Sequence, residues 1–102
     1  MTTNQKIKNA IEEIKQILNI ENVNVEITAD GADYYSTAYA ELGFDRYMLD
    51  FIATNKTDKI GNICASCLSG NGKTVLTSLK DLITDCKRFK QHGYILTFSE
   101  YN

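Results

Sequence analysis

The residues with the most chemical potential in this chain are its three cysteines and its single histidine. Cys64-Ala65-Ser66-Cys67, followed by Cys86 and His92, spells C-x2-C-x18-C-x5-H. Four such ligands resemble a Cys3His zinc set, provided that all of them converge within about 2.3 Å of one point. A knuckle turn brings the CxxC pair together. A continuous strand instead points residues three apart to opposite faces. The spacing around residues 59–68 predicts a strand, and Cys86 falls on the apolar stripe of a helix, where a free thiol behaves as a small core residue. The expectation is therefore no metal and no cofactor. The alternative is a small zinc-containing nucleic-acid-binding module built on Cys64, Cys67, Cys86 and His92. A redox pair is disfavoured, because the next helix begins some ten residues after Cys64 and its dipole cannot lower that thiol's pKa.

Ser69-Gly70-Asn71-Gly72-Lys73-Thr74 ends like a phosphate-binding loop, but the position that must be glycine five residues before Gly72 is Cys67. Glycines that let the chain turn into a helix are the simpler reading. Lys87, Arg88, Lys90 and His92 crowd the end of that helix, where cations suit the dipole without any ligand. A nucleic-acid contact there is the lesser possibility, given the overall acidity. His92 and Cys86 are six apart, which is not a same-face separation on a helix. The carboxylates are scattered, with no acid and base pairing. Together these features predict a protein that is not an enzyme.

The 102 residues suit one domain, spanning 1–102, with 43% hydrophobic and 24% charged residues in the ordinary globular range. Net charge is −2, and the charges are spread along the chain, which argues against a dedicated phosphate-backbone binder. No apolar stretch approaches the ~20 residues that span a bilayer, and residues 1–20 are amphipathic without an apolar signal core. The expected location is cytoplasmic, with reduced thiols, and the sequon at Asn55-Lys56-Thr57 then has no consequence. Proline is absent, so turns fall to Gly, Asn, Asp and Ser.

Residues 4–19 carry Ile7, Ala10, Ile11, Ile14, Ile17 and Leu18 at helical spacing, with Thr2 and Gln5 placed for a capping box. Alternating patterns predict strands at 23–29, 33–41, 46–54 and 59–68, the last following a polar turn at 55–58 and setting Ile63 opposite Phe51 and Ala65 opposite Leu49. Ser69 to Gly72 reads as a flexible loop. A second helix runs from Thr74 to a cap at Gly93, with Val75, Leu79, Leu82, Ile83, Cys86 and Phe89 on one stripe. Residues 94–99 form a closing strand with Leu96 and Phe98 inward. The fold class is α+β: a two-layer sandwich in the order helix, four strands, helix, strand, mainly antiparallel, with both helices on one face.

Two hairpins fix the faces. A turn at Asp30-Gly31 sets Ile27 opposite Tyr34, Val25 opposite Ser36 and Val23 opposite Ala38. A turn at Gly43-Phe44 sets Ala40 opposite Tyr47, Ala38 opposite Leu49 and Ser36 opposite Phe51. The even side of the middle strand is then the core side. The other side carries Glu26, Tyr35, Tyr39, Glu41, Arg46, Met48, Asp50 and Ile52, with Tyr35 opposite Ile52, Tyr39 opposite Met48 and an ion pair between Glu41 and Arg46.

Tyrosine, Met, Ile and Arg among carboxylates is a composition enriched at protein interfaces. The expected partner-binding residues are Tyr35, Tyr39, Glu41, Arg46, Met48, Asp50 and Ile52. The partner is another protein, or a second copy through this open sheet face; nucleic acid ranks below these, and a membrane is not expected. In size and in lacking catalytic, cofactor or transport features, the chain resembles the small accessory and inhibitor proteins of phages and mobile elements, anti-CRISPR proteins among them. That resemblance covers no motif. It implies stoichiometric binding, as an inhibitor or adaptor.

Overall fold

A computed structural model describes residues 1–53, 63–65, 68–91 and 95–100. The first helix, α1 (Thr3–Leu18), starts as its sequence directs: the Gln5 N–H donates to Thr2 Oγ1 at 3.2 Å. It stops at Asn19, which takes the left-handed conformation (φ 48°) and donates its N–H to the Lys15 carbonyl at 2.9 Å. Ala10, Ile14 and Leu18, spaced by four, form its buried line.

Strands β1 (Val23–Asp30), β2 (Asp33–Leu42) and β3 (Asp45–Ala53) follow as two antiparallel hairpins. The second turn is where its sequence places it, with Ala40 opposite Tyr47 and Glu41 opposite Arg46. The first is displaced by one residue. Gly31 and Ala32 are its two central residues, so Ile27 faces Ser36, Val25 faces Ala38 and Val23 faces Ala40. Gly31 (φ 66°) and Gly43 (φ 69°) each occupy the first central position with positive φ, the pattern of a type II′ turn. An Asp-Gly pair read as a type I′ turn gives the other register. The error is two residues, so every side chain keeps its face.

The hairpin of β2 and β3 forks. Their pairing ends at Tyr39 opposite Met48, and the predicted pairs of Ala38 with Leu49 and Ser36 with Phe51 do not form. Strand β4 (Ile63–Ala65) comes in along β3, with Phe51 opposite Ala65 rather than Ile63. Leu68 sits in the crotch: its N–H donates to the Leu49 carbonyl and its carbonyl accepts from the Ala38 N–H, both at 3.2 Å. Strand β5 (Ser69–Gly72) then runs out along β2, with Ser36 opposite Gly70 and Tyr35 opposite Asn71. The expected flexible loop is thus a strand; of the strand expected at 59–68, Ile63–Ala65 forms β4 and Leu68 bridges β3 and β2, while residues 66–67 lie outside the described residues. The predicted turn at 55–58, the first residues of that strand, Gly93 and Tyr94 lie outside the described residues.

After α2 (Val75–Gln91), β6 (Ile95–Glu100) pairs with β3, setting Leu49 opposite Phe98 and Phe51 opposite Leu96. Among the described residues the sheet has six strands, all of their pairings antiparallel. One buried cluster joins Ala10, Ile14 and Leu18 of α1 and Leu79, Leu82, Ile83 and Cys86 of α2 to Val23, Ala38, Leu49 and Leu68.

Helix α2 approaches the sheet closely where it crosses β5. A Cβ on Gly70 would stand 2.5 Å from the Leu82 nitrogen, and one on Gly72 would stand 2.6 Å from the Ser78 nitrogen. Across the same seam Ser36 Oγ donates to the Ser78 carbonyl at 3.0 Å, and Ser78 Oγ lies 3.0 Å from Ser36 Oγ and 3.2 Å from the Gly70 carbonyl. Both serines are fully buried, and each hydroxyl has a partner, as burial requires.

Candidate functional site

Ser36, Ala38 and Ala40 are fully buried, so the alternate residues of β2 point to the other side of the sheet. Tyr35 is 37% exposed, Thr37 and Tyr39 are half-buried, and Glu41 is exposed. From β1 the register adds Thr28 beside Tyr35, Glu26 beside Thr37 and Asn24 beside Tyr39. Neither tyrosine is sealed in the interior.

A three-strand contact organises this face. Arg46 of β3 lies over the ring of Tyr39 of β2, 4.1 Å from guanidinium carbon to ring centroid, and its Nη2 reaches Glu26 Oε2 of β1 at 2.7 Å. The expected ion pair of Arg46 with Glu41 is therefore replaced. Glu41 is its register partner, but the guanidinium extends diagonally across β2, over the ring, to Glu26. Stacking on an aromatic face while donating to a carboxylate suits the planar guanidinium. With both side chains about a third or more exposed, the ion pair itself contributes at most ~1 kcal/mol. Its main effect is to hold a cation and a phenol ring in fixed positions on an accessible surface.

Of the predicted binding residues, Tyr35, Tyr39, Glu41 and Arg46 share this face. The backbone register sets Met48 beside Tyr39, Asp50 opposite Thr97 and Ile52 between Cys64 and Ile95. The predicted pairing of Tyr35 with Ile52 is overturned by the fork, because β5 lies beside that part of β2 and brings Asn71 next to Tyr35. Asn24, Thr28, Thr37 and Asn71 join the face unforeseen. The register of β1 implies the first two, whereas no periodicity signals Asn71. Phe44, read only as a turn residue, is fully exposed at the hairpin tip, with Leu42 46% exposed beside it.

Several donors of the glycine-rich segment are engaged. The Asn71 N–H donates to Asp81 Oδ2 at 3.0 Å, and Lys73 pairs with Asp33 at 3.0 Å. Thr74 and Thr77 cap each other: the Thr77 N–H donates to Thr74 Oγ1 at 3.1 Å and the Thr74 N–H to Thr77 Oγ1 at 2.9 Å. Gly70 and Gly72 are explained by the approach of α2. In the basic stretch, Lys87 lies 3.8 Å from Glu13 of α1, and Arg88 meets Asp85 at 2.8 Å. Burial nonetheless raises the Asp85 carboxyl above its ordinary pKa, outweighing Arg88.

Cys86 is fully buried in the core, and burial, with Asp85 adding to it, pushes its thiol up to about 12. Cys64 lies on β4 opposite Ile52, while Cys67 and His92 lie outside the described residues. Among the described residues no three His, Cys, Asp or Glu side chains group as metal ligands, and no helix is long and apolar enough to cross a membrane. Comparison of the chain with protein-family models, curated proteins and solved structures gives no match.

Proposed function

We propose that this is a non-enzymatic domain that binds another protein through the sheet face bearing Tyr35, Tyr39, Glu41 and Arg46, with Met48, Asp50 and Ile52 of β3 continuing the surface. The observation that carries the reading is the stacking of Arg46 on Tyr39 with Glu26 fixing its far end. Tyrosine and arginine dominate the energetics of protein interfaces, and a side chain already ordered in the free protein loses less entropy on binding. Tyr35, outside that contact and 37% exposed, supplies a second aromatic anchor on the same strand. The activity in this reading is stoichiometric, as in an inhibitor or adaptor of the kind carried by phages and mobile elements, with a cytoplasmic site of action.

The test is affinity capture from the source cell with wild-type protein and with Tyr35→Ala/Tyr39→Ala as bait, read by quantitative mass spectrometry. The double variant should lose the captured partner while its unfolding free energy falls only by the cost of one cation–π contact, ~0.5–1 kcal/mol. Equal recovery by the two baits would refute this face as the binding surface.

A further inference from the structure

Strand β1 is the outermost strand on its side of the sheet. It pairs with β2 along its whole length, and among the described residues no strand lies against its other edge. An edge of this kind presents unpaired N–H and C=O groups, which monomeric proteins guard with Lys, Pro, a bulge or a covering element. β1, Val-Asn-Val-Glu-Ile-Thr-Ala-Asp, contains no Lys and no Pro, and its unbroken register with β2 leaves no bulge. Its one central charge, Glu26, is engaged by Arg46.

Helix α1 adds an apolar flank beside this edge. Its α2-facing side is marked by Glu13, which pairs with Lys87, and by Ala10, which with Leu76 and Ile83 lines a cleft of about 490 Å³ between the helices. At 100° per residue, Ile11 stands roughly 160° round the helix from Glu13, on the flank away from α2, while Ile7 falls on the buried line of Ile14 and Leu18. Lys15, on that same flank, lines a cleft with Val23 and Asn24 at the start of β1. Ile7, Ile11, Val25 and Ile27 are all only half-buried against the core.

We propose that β1 pairs antiparallel with the β1 of a second copy about a twofold axis, continuing the sheet across both chains and covering Ile11. The strand is its own complement. Its odd positions, Val23, Val25, Ile27 and Ala29, are all apolar, and its even positions, Asn24, Glu26, Thr28 and Asp30, are all polar. A dyad through Val25 sets Val23 on Ile27 and Asn24 on Glu26. A dyad through Ile27 sets Val25 on Ala29 and Glu26 on Thr28. Both match apolar with apolar, and neither opposes like charges, whereas a dyad through Glu26 sets that carboxylate on its own mate. One twofold operation thus satisfies the open edge and the helix flank together.

Sedimentation equilibrium of the full chain should give twice the mass of one chain. Ile11→Lys on the helix flank and Ile27→Lys on the strand should each raise the dimer dissociation constant at least roughly a hundredfold, since either buries an unpaired ammonium in the interface. Far-UV circular dichroism checks that both variants remain folded. If either fails to fold, hydrogen exchange of the wild type decides: the amides of residues 23–30 gain protection as concentration rises. A wild-type monomer at several hundred micromolar, a dimer indifferent to both folded variants, or concentration-independent exchange in 23–30 would each overturn the proposal. So would a dimer lost in Tyr35→Ala/Tyr39→Ala but kept in the two lysine variants.

Discussion

Replacing Gly70 with alanine tests the seam on which the whole fork depends. The new Cβ would sit 2.5 Å from the Leu82 nitrogen, 2.9 Å from Leu82 Cβ, and closer still to the Ser78 carbonyl oxygen. Ordinary carbon contacts need about 3.5 Å, so α2 must retreat from β5 by about 1 Å. Overpacking of this sort costs ~1–3 kcal/mol. The retreat also stretches the contacts of Ser78 Oγ with Gly70 and of Ser36 Oγ with Ser78, now 3.2 and 3.0 Å, beyond hydrogen-bond range. Leaving buried hydroxyls and carbonyls short of partners adds ~1–3 kcal/mol.

The sum, ~2–6 kcal/mol, is a large share of the ~5–15 kcal/mol that holds a domain together. Gly31→Ala is the matched control, because its Cβ meets nothing within 4 Å and the only penalty is the positive φ, ~1–2 kcal/mol. Both substitutions restrict the unfolded chain equally, so that effect cancels in the comparison. Urea unfolding followed by circular dichroism measures the two stabilities, and Gly70→Ala should lower the melting temperature by at least ~8 °C. If Gly70→Ala is no less stable than Gly31→Ala, the glycine is not there for the helix, and the account of the seam is wrong.

Two further perturbations probe the same core. Ser36→Ala and Ser78→Ala should each destabilise by ~1–2 kcal/mol, and the double variant by less than their sum, with a coupling of at least ~0.5 kcal/mol in a double-mutant cycle; strict additivity would mean that the hydroxyls do not interact. Cys86 makes stability fall with alkali. Below pH 9, its ordinary value, the thiol is protonated in both states; between 9 and about 12 the unfolded chain ionises it while the native state keeps the proton. The native state then binds more protons, so unfolding free energy declines with pH by up to ~1.4 kcal/mol per unit from this group. Cys86→Ala should have a shallower slope over that range in urea titrations, and equal slopes would contradict the buried thiol.

Several features could be read from local chemistry alone. The alternation in residues 23–52 fixes which side chains share a face, and it does so even though the first turn lies one residue later than Asp-Gly suggests, because a two-residue register error preserves parity. The period of α1, its Thr2 cap and the stripe of α2 ending at Phe89 are legible for the same reason: each depends on neighbours within a few residues. Tyr35, Tyr39, Glu41 and Arg46 share a surface because of this parity.

Tertiary structure decided where the strands part and what fills the gap. Ser69-Gly70-Asn71-Gly72 has the composition of a loop, and only the backbone of α2 lying against it explains why residues without side chains are needed in a strand there. Inserting that strand, in turn, places Asn71 beside Tyr35 and separates Tyr35 from Ile52. The reach of Arg46 past its register partner to Glu26 likewise depends on three strands at once. Periodicity carries information about one chain segment and its turn. A close approach between distant segments is set by the volumes of residues far apart in sequence, and those meet only when the sheet and helix are assembled.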